Sequence, residues 1–231
     1  MITLPDKNLK LTNNVITFLL ASSFLLLGLS FALGANPNTL TATFSYYGVD
    51  SLMSVSALGL ISGSFMIALA FATVLARLKL MKPTPALLLA AIISLVALLT
   101  LFASNRWMAQ LGGFPIIGSG QGIIKYFAVV PLYLFLFYKD KLTDKQHVLL
   151  NFIPVAMVIL GLFLNNKKLI IVSGLACLSV FMMTQTFLIT ATGAFSSSTL
   201  LDRLGQFVIK DLWYIGNLVV IAFLMIFKPT K

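Results

Sequence analysis

Gly120-Gln121-Gly122-Ile123-Ile124-Lys125 recurs as Gly205-Gln206-Phe207-Val208-Ile209-Lys210, and each copy opens a long apolar run. We call these two stretches the lysine frames. Each frame places a lysine in the first turns of a predicted membrane helix. That position is unfavourable, because the N-terminal end of a helix is already positive and because hydrocarbon is a costly environment for an ammonium group. Two such lysines in one six-residue pattern predict a duplicated unit.

The composition is that of an integral membrane protein. The chain has 231 residues, of which 59% are hydrophobic and only 10% are charged, and its mean hydropathy is +1.02. Soluble domains carry roughly a quarter charged residues. The net charge of +10 comes from basic residues that lie mostly in short loops between apolar runs. This distribution is typical of topology signals and lipid headgroup contacts, so we expect no nucleic-acid partner.

The chain offers few residues for catalysis or metal binding. Cys177 is the only cysteine, His147 is the only histidine, and glutamate does not occur. Cys177 lies in an apolar run, and His147 lies in a polar loop where we expect it to be solvated. No Ser/His/Asp arrangement, phosphate loop or dinucleotide fingerprint is present. We therefore expect no metal, no other cofactor, no internal disulfide and no enzymatic activity.

Seven segments are long and apolar enough to cross a membrane, which takes about 20 residues. The first could also be a signal peptide cleaved near Ala35, but its apolar region exceeds the usual length of about 7–15 residues, which favours a retained helix. The sixth carries many Ser and Thr residues, so we expect much of it to face other helices. The predicted helices are Val15–Leu33, Ser51–Leu75, Ala86–Ala103, Gly122–Tyr138, Val148–Leu164, Leu169–Thr190 and Phe207–Phe227.

Two further features leave alternatives open. Gly59 and Gly63 form a GxxxG pattern, which indicates either a dimer face or close packing within the chain. The loop from Arg106-Trp107 to Gly120 is rich in glycine and contains Pro115. Such a loop either re-enters the membrane, covered by protein, or lies at the interface with Trp107 as its anchor.

An offset of 85 residues aligns the two halves of the chain without a gap. Lys82 falls on Lys167, and helices two to four fall on helices five to seven. Because each unit has an odd number of helices, the second would enter the membrane from the opposite side, as in many transporters. The predicted fold is one all-α membrane domain of about seven transmembrane helices, with an inverted 3+3 repeat (51–138 and 148–227) after an extra N-terminal helix (15–33). Chance similarity between two apolar stretches is the alternative.

The loop charges predict the orientation of the chain. With seven helices, nine basic residues lie on the N-terminal side and five on the other, which favours a cytoplasmic N-terminus in the inner (plasma) membrane and an external C-terminus. The nine are Lys7, Lys10, Arg77, Lys79, Lys82, Lys139, Lys141, Lys145 and Arg203, and the five are Arg106, Lys167, Lys168, Lys228 and Lys231.

The stretch from helix three through Gly112-Gly113-Phe114-Pro115 to Lys125 resembles the YkgB/RclC-like family of bacterial inner-membrane proteins, in the DoxX-like group. The resemblance covers 15–138 and is closest over 91–132. The family has Arg where this chain has Gln121 and Asp where it has Tyr126, whereas the second frame keeps Phe207, Lys210 and Asp211. The resemblance implies a non-enzymatic membrane protein, with one relative linked to resistance to reactive chlorine. This chain has three helices more than is usual in that family.

The lysine frames and the helix after the second one define a candidate intramembrane polar site. Its residues are Gln121, Lys125, Gln206, Lys210, Asp211, Tyr214 and Asn217. The lysines either extend to the headgroups as anchors or point inward, each held by polar groups on a neighbouring helix. The glutamine one turn before each lysine could contact it. Asp211 points about 100° away from Lys210 around the helix, which makes it a poor partner for that lysine.

These observations leave three functions open. The first is a non-enzymatic envelope protein that supports resistance to redox or reactive-chlorine stress. The second is a small transporter with its site between the lysine frames, and the third is the membrane subunit of a quinone-linked oxidoreductase. The expected partners are the lipid bilayer and either another membrane protein or a second copy of the chain.

Overall fold

The computed structural model describes residues 4–34, 38–103, 106–108, 119–151, 160, 163–196 and 200–227. Over these ranges the chain is helical and contains no strand, apart from an isolated bridge between Phe195 and Leu201. Six helices are long and apolar enough to cross a membrane, and we call them the first to sixth spans. They are Lys7–Ala32, Val55–Arg77, Pro83–Phe102, Gly120–Lys141, Lys167–Thr190 and Arg203–Ile226. The architecture is that of a multi-pass membrane protein.

The individual helices begin and end close to the predicted positions. The first is longer than predicted, whereas the second begins later because the Ser54 hydroxyl caps its N-terminus by accepting from the Ala57 amide. The α-helices are Leu4–Ala32, Asn38–Tyr46, Val55–Arg77, Pro83–Leu99, Gly120–Ile124, Val129–Tyr138, Asp144–Leu150, Lys167–Gln185, Phe187–Thr190, Arg203–Val208 and Asp211–Ala222.

Val148–Leu164, the fifth of the seven predicted helices, falls largely outside the described residues. Its described beginning belongs to the short helix Asp144–Leu150, which starts at a capping box formed by Thr143 and Gln146. The loop motif Gly112-Gly113-Phe114-Pro115 also lies outside the described residues. The described part of the chain therefore supports six spans where seven were predicted.

The first and second spans pack closely along their length. A side chain at Gly63 would collide with the backbone of Gly28 and with Ala32, so the two helices meet there almost backbone to backbone. Gly59 is also buried. Of the two roles that the GxxxG pattern left open, a dimer face or close packing within the chain, this contact corresponds to close packing within the chain.

The fourth and sixth spans run in the same direction, side by side. Lys125 contacts Asp211, Ala128 accepts a hydrogen bond from Asn217, and Phe135 packs on Phe223, so the contacts advance together along both helices. An inverted repeat would make these two helices antiparallel. The lysine frames are thus alike in sequence and in position, but they are not related by the predicted inversion.

The fifth span is the most exposed of the six, contrary to the expectation that its polar residues face other helices. Ile170 is its only buried residue up to Gln185. The Ser and Thr side chains are satisfied within the helix, since Ser173 donates to the Leu169 carbonyl and Ser179 to the Leu175 carbonyl. Such internal hydrogen bonds make a polar side chain compatible with a lipid-facing surface.

With these six spans, the basic residues divide unevenly between the two sides of the bundle. Counted along the sequence from the span ends, twelve belong to the N-terminal side, and two of these, Lys228 and Lys231, follow the sixth span outside the described residues. Only Arg106 and Arg203 lie at or beyond the ends on the opposite side, which we call the far side. Lys125 and Lys210, inside the fourth and sixth spans, lie near the far side. The twelve are Lys7, Lys10, Arg77, Lys79, Lys82, Lys139, Lys141, Lys145, Lys167, Lys168, Lys228 and Lys231.

Candidate functional site

The glycine that opens each lysine frame allows a close approach of neighbouring groups. A side chain at Gly120 would collide with the ring of Trp107, whose Nε1 donates to the Leu101 carbonyl at 2.7 Å. A side chain at Gly205 would collide with the backbone oxygen of Ala194. Both frames are therefore held against the rest of the bundle at their first residue. Trp107 is buried by this contact.

Both frame helices are interrupted at their lysine. In the first frame, the α-helix Gly120–Ile124 gives way to a 3-10 segment, Lys125–Ala128. In the second, a turn at Ile209 and Lys210 separates Arg203–Val208 from Asp211–Ala222. Such interruptions release backbone carbonyl groups from the helical hydrogen-bond pattern and make them available to side chains.

Lys125 uses one of these released groups and forms a buried ion pair. Its Nζ lies 2.5 Å from Asp211 Oδ1, donates to the Phe207 carbonyl at 3.0 Å, and lies 3.6 Å from the centre of the Phe207 ring. Thr184 of the fifth span donates to Asp211 Oδ2 at 2.9 Å. The pair thus joins three spans. Both side chains are buried. The additional hydrogen bonds help to offset the cost of removing the two charges from water.

Lys210 is also buried, but no carboxylate pairs with it in the described part of the chain. Its Nζ lies 5.1 Å from the centre of the Tyr126 ring, a cation–π contact. Lys125 and Arg106 are near enough to interact with it electrostatically, and both are positive. Lys210 is therefore an excess cation inside the bundle.

Both lysine side chains are buried in the bundle, which is the arrangement of the inward alternative. Gln206 is buried and donates to the Leu201 carbonyl at 3.0 Å, and Gln121 is exposed. Asp211 pairs with Lys125, across the helix interface, and not with its sequence neighbour Lys210.

The two remaining predicted residues lie deeper and have structural partners. Tyr214 packs against Phe181, with ring centres 5.1 Å apart. Asn217 donates to the Ala128 carbonyl at 3.1 Å and to Asn151 Oδ1 at 2.9 Å. Asn151 in turn donates to the His147 carbonyl. These contacts fasten the helices together below the lysines.

His147 is not the solvated loop residue that the sequence indicated. It is fully buried, with Nε2 2.9 Å from the Lys139 carbonyl oxygen and its ring edge-on to Phe135. His147 belongs to the helix Asp144–Leu150, so the charged segment that contains this histidine also helps to bury it.

Sequence reasoning missed Arg106 as a member of the site. Its side chain is only 1% exposed and donates to the Thr43 hydroxyl, while Nε and Nη1 have no hydrogen-bond acceptor among the described residues. Burial lowers the pKa of the guanidinium, but arginine starts so far above neutrality that the group stays charged. No signal for it was present in the sequence, because the seven predicted helices placed Arg106 among five basic residues on its side of the membrane.

Two cavities meet at Lys210. The basic cavity, of about 540 Å³, is lined by Arg106, Arg203, Gln206 and Lys210 among others. The apolar cavity, of about 430 Å³, is lined by Tyr126 and by aliphatic and aromatic side chains of the second and third spans. Lys210 and Ile123 line both cavities, so the ammonium group stands at the boundary between a polar space and an apolar one.

No family model, curated protein or solved structure matches this chain. The site therefore has to be interpreted from its own geometry. That geometry combines a satisfied ion pair, two further cations and two cavities, all placed where the lysine frames begin.

Proposed function

We propose that this chain is a non-enzymatic, multi-pass protein of the inner membrane whose lysine frames form a small-molecule binding centre near the outer face. The N-terminal side, with its twelve basic residues, lies in the cytoplasm in this proposal. In keeping with the family resemblance, the physiological role is resistance to redox or reactive-chlorine stress.

The observation that carries the proposal is the excess positive charge at the centre. Lys125 is neutralised by Asp211, whereas Lys210 and Arg106 are buried beside it with no carboxylate partner in the described residues. Packing alone gives no reason to keep these charges, because an uncompensated ion in a bundle costs several kcal/mol. Ionisable groups inside a membrane protein are functional candidates for this reason.

Complementation of a deletion strain tests the proposal. Cells that lack the protein should lose viability in hypochlorite, and the wild-type chain should restore it. Lys210→Arg should fail to restore viability at normal membrane abundance, since a guanidinium does not replace a compact ammonium beside Tyr126. Lys82→Arg, the same change on the N-terminal side, is the matched control. Equal rescue by both variants would contradict the proposal.

A small transporter is the second candidate, and one observation favours it. Both frame helices are interrupted at the lysines, and broken helices with released carbonyl groups form the substrate sites of many transporters. The parallel direction of the two frames removes the inverted repeat from the support for this candidate. Flux of an anion through proteoliposomes, absent in Lys210→Met, is the test.

A further inference from the structure

From the two cavities that meet at Lys210, we infer that the binding centre takes an anionic amphiphile. Its phosphate or carboxylate head would lie in the basic cavity and its hydrocarbon chain in the apolar cavity. The inference rests on the proposed binding centre and names the ligand class. Both cavities fall within the range of about 300–1,000 Å³ that is usual for small-molecule sites.

The charge balance of the basic cavity calls for an anion. Lys125 and Asp211 neutralise each other, and the exposed Arg203 at the mouth has Asp202 as its chain neighbour. Arg106 and Lys210 remain as two buried positive charges. Asp50, the other acidic residue on the far side, accepts from Ser45 on the surface and does not line the cavity. A phosphate or carboxylate would therefore meet two buried basic side chains that no carboxylate of the cavity neutralises.

Arg106 presents the hydrogen-bond donors that such a head requires. Nη2 is fixed by Thr43, and Nε and Nη1 are buried beside the cavity without an acceptor in the described residues. Each of these two donors can make a charge-assisted hydrogen bond to an oxygen of a carboxylate or phosphate. A buried donor left unsatisfied is costly, so an acceptor belongs there.

The apolar cavity indicates that the ligand has a hydrocarbon tail. Phe65 and Ile92 line the cavity and are also exposed on the lipid-facing surface, so a chain can enter from the bilayer. The inner end of the same cavity reaches Lys210 and Tyr126. A head held at Lys210 would thus continue directly into a tail between the second and third spans.

Binding to the purified full-length chain in phosphatidylcholine nanodiscs tests this inference. Radiolabelled dodecyl phosphate is the probe, and inorganic phosphate and dodecanol are competitors. We expect saturable binding that dodecanol does not displace and that inorganic phosphate displaces only at far higher concentration. Displacement by inorganic phosphate at equal concentration would show a free-anion site and would overturn the amphiphile assignment. Displacement by dodecanol would overturn the role of the charges.

Variants locate the two halves of the site. Arg106→Gln and Lys210→Met should each weaken dodecyl phosphate binding about tenfold or more, the loss expected for a charged hydrogen bond. Lys79→Gln, which removes one cation on the opposite side, should bind as wild type. Ala97→Trp, which fills the apolar cavity, should weaken dodecyl phosphate binding and leave the affinity for inorganic phosphate unchanged. If Arg106→Gln does not fold, the affinity of Lys210→Met alone decides.

The two proposals fail separately. Wild-type affinity in both Arg106→Gln and Lys210→Met would overturn the amphiphile site even if Lys210 is needed for survival in hypochlorite. Conversely, Lys210-dependent binding of dodecyl phosphate in a protein that gives no protection would overturn the stress-resistance role alone.

Discussion

Lys125 and Asp211 each keep a charge inside the bundle because the other is 2.5 Å away. Asp211 also accepts from Thr184, and Lys125 also donates to the Phe207 carbonyl, so the remaining donor and acceptor capacity is largely used. A pair satisfied in this way contributes little net stability over an apolar equivalent. Removing one member is strongly destabilising, because it leaves an uncompensated buried charge.

We therefore expect Lys125→Met to lower the free energy of unfolding by about 3–5 kcal/mol. Asp211→Asn should also destabilise, and the double variant should lose less than the sum of the two single losses. Unfolding in mild detergent, followed by circular dichroism, measures all three. Additive losses would mean that the two side chains do not interact.

Lys210 should behave in the opposite way. It has no carboxylate partner and lies beside Lys125 and Arg106, so Lys210→Met removes repulsion as well as the contact with Tyr126. We expect no loss in the free energy of unfolding beyond the roughly 1 kcal/mol of a cation–π contact, and a gain from removing a buried charge that has no counter-ion. A loss comparable to that of Lys125→Met, in the same unfolding experiment, would reveal an anionic partner for Lys210.

The sequence identified most of these residues but not their pairing. Lys125, Gln206, Lys210, Asp211, Tyr214 and Asn217 were predicted as a polar site, and all six are buried. Asp211 was judged only against Lys210, its chain neighbour, because the partnership with Lys125 depends on two helices lying side by side. Arg106 was missed since nothing in a loop sequence indicates that the loop folds inward.

At the scale of helices, the lysine frames are alike because they meet the same packing demand. Each begins with a glycine pressed against a neighbouring group, Trp107 in one case and the Ala194 carbonyl in the other. Each then breaks at its lysine. The sequence analysis predicted that both frames begin a long apolar helix. It could not give the relative direction of the two helices, which depends on how many segments between them cross the membrane.

Glycine substitutions distinguish this packing role from simple helix propensity. Gly205→Ala should lower the free energy of unfolding by about 1–3 kcal/mol, since the added methyl group overlaps the Ala194 backbone oxygen. Gly174→Ala is the matched control: it lies in the exposed helix Lys167–Gln185 and has nothing within 4 Å of the added carbon. That variant should gain up to about 1 kcal/mol from helix propensity. Similar effects at both sites would mean that the close approach at Gly205 is not required.

The fifth span shows how far polarity alone can predict burial. Its Ser and Thr residues were expected to face other helices. Most of their hydroxyl groups instead donate to carbonyl groups of their own helix, so they need no partner on a neighbouring helix. Two polar side chains of this span do contact the sixth span: Thr184 donates to Asp211, and Gln185 donates to the Val208 carbonyl. The sequence does not distinguish Thr184 and Gln185 from the other polar residues of this span, because their contacts depend on how the helices pack.

For the whole molecule, the six spans give a much clearer charge distribution than the seven that were predicted. The seven-span count placed Lys167 and Lys168 opposite the other loop cations, which was the weak point of the predicted topology. With six spans, twelve basic residues belong to the N-terminal side by sequence, and the four others, Arg106, Lys125, Arg203 and Lys210, all lie in or near the lysine frames. Cations kept on the unfavoured side of a membrane protein require a local reason.

The described spans therefore predict that both ends of the bundle lie in the cytoplasm, whereas seven spans would place the C-terminal end outside. Cysteines introduced one at a time into a Cys177→Ser background, at Lys79, Lys141, Ser51 and Lys231, can be labelled on intact cells with a membrane-impermeant maleimide. Only Ser51→Cys should react before the cells are permeabilised, because the other positions lie on the side that carries the twelve cations. Labelling at Lys231 on intact cells would restore the seventh crossing, and labelling at Lys79 instead of Ser51 would reverse the orientation of the protein. Either result would change the side of the membrane on which the lysine frames lie, and with it the compartment from which the proposed ligand would enter.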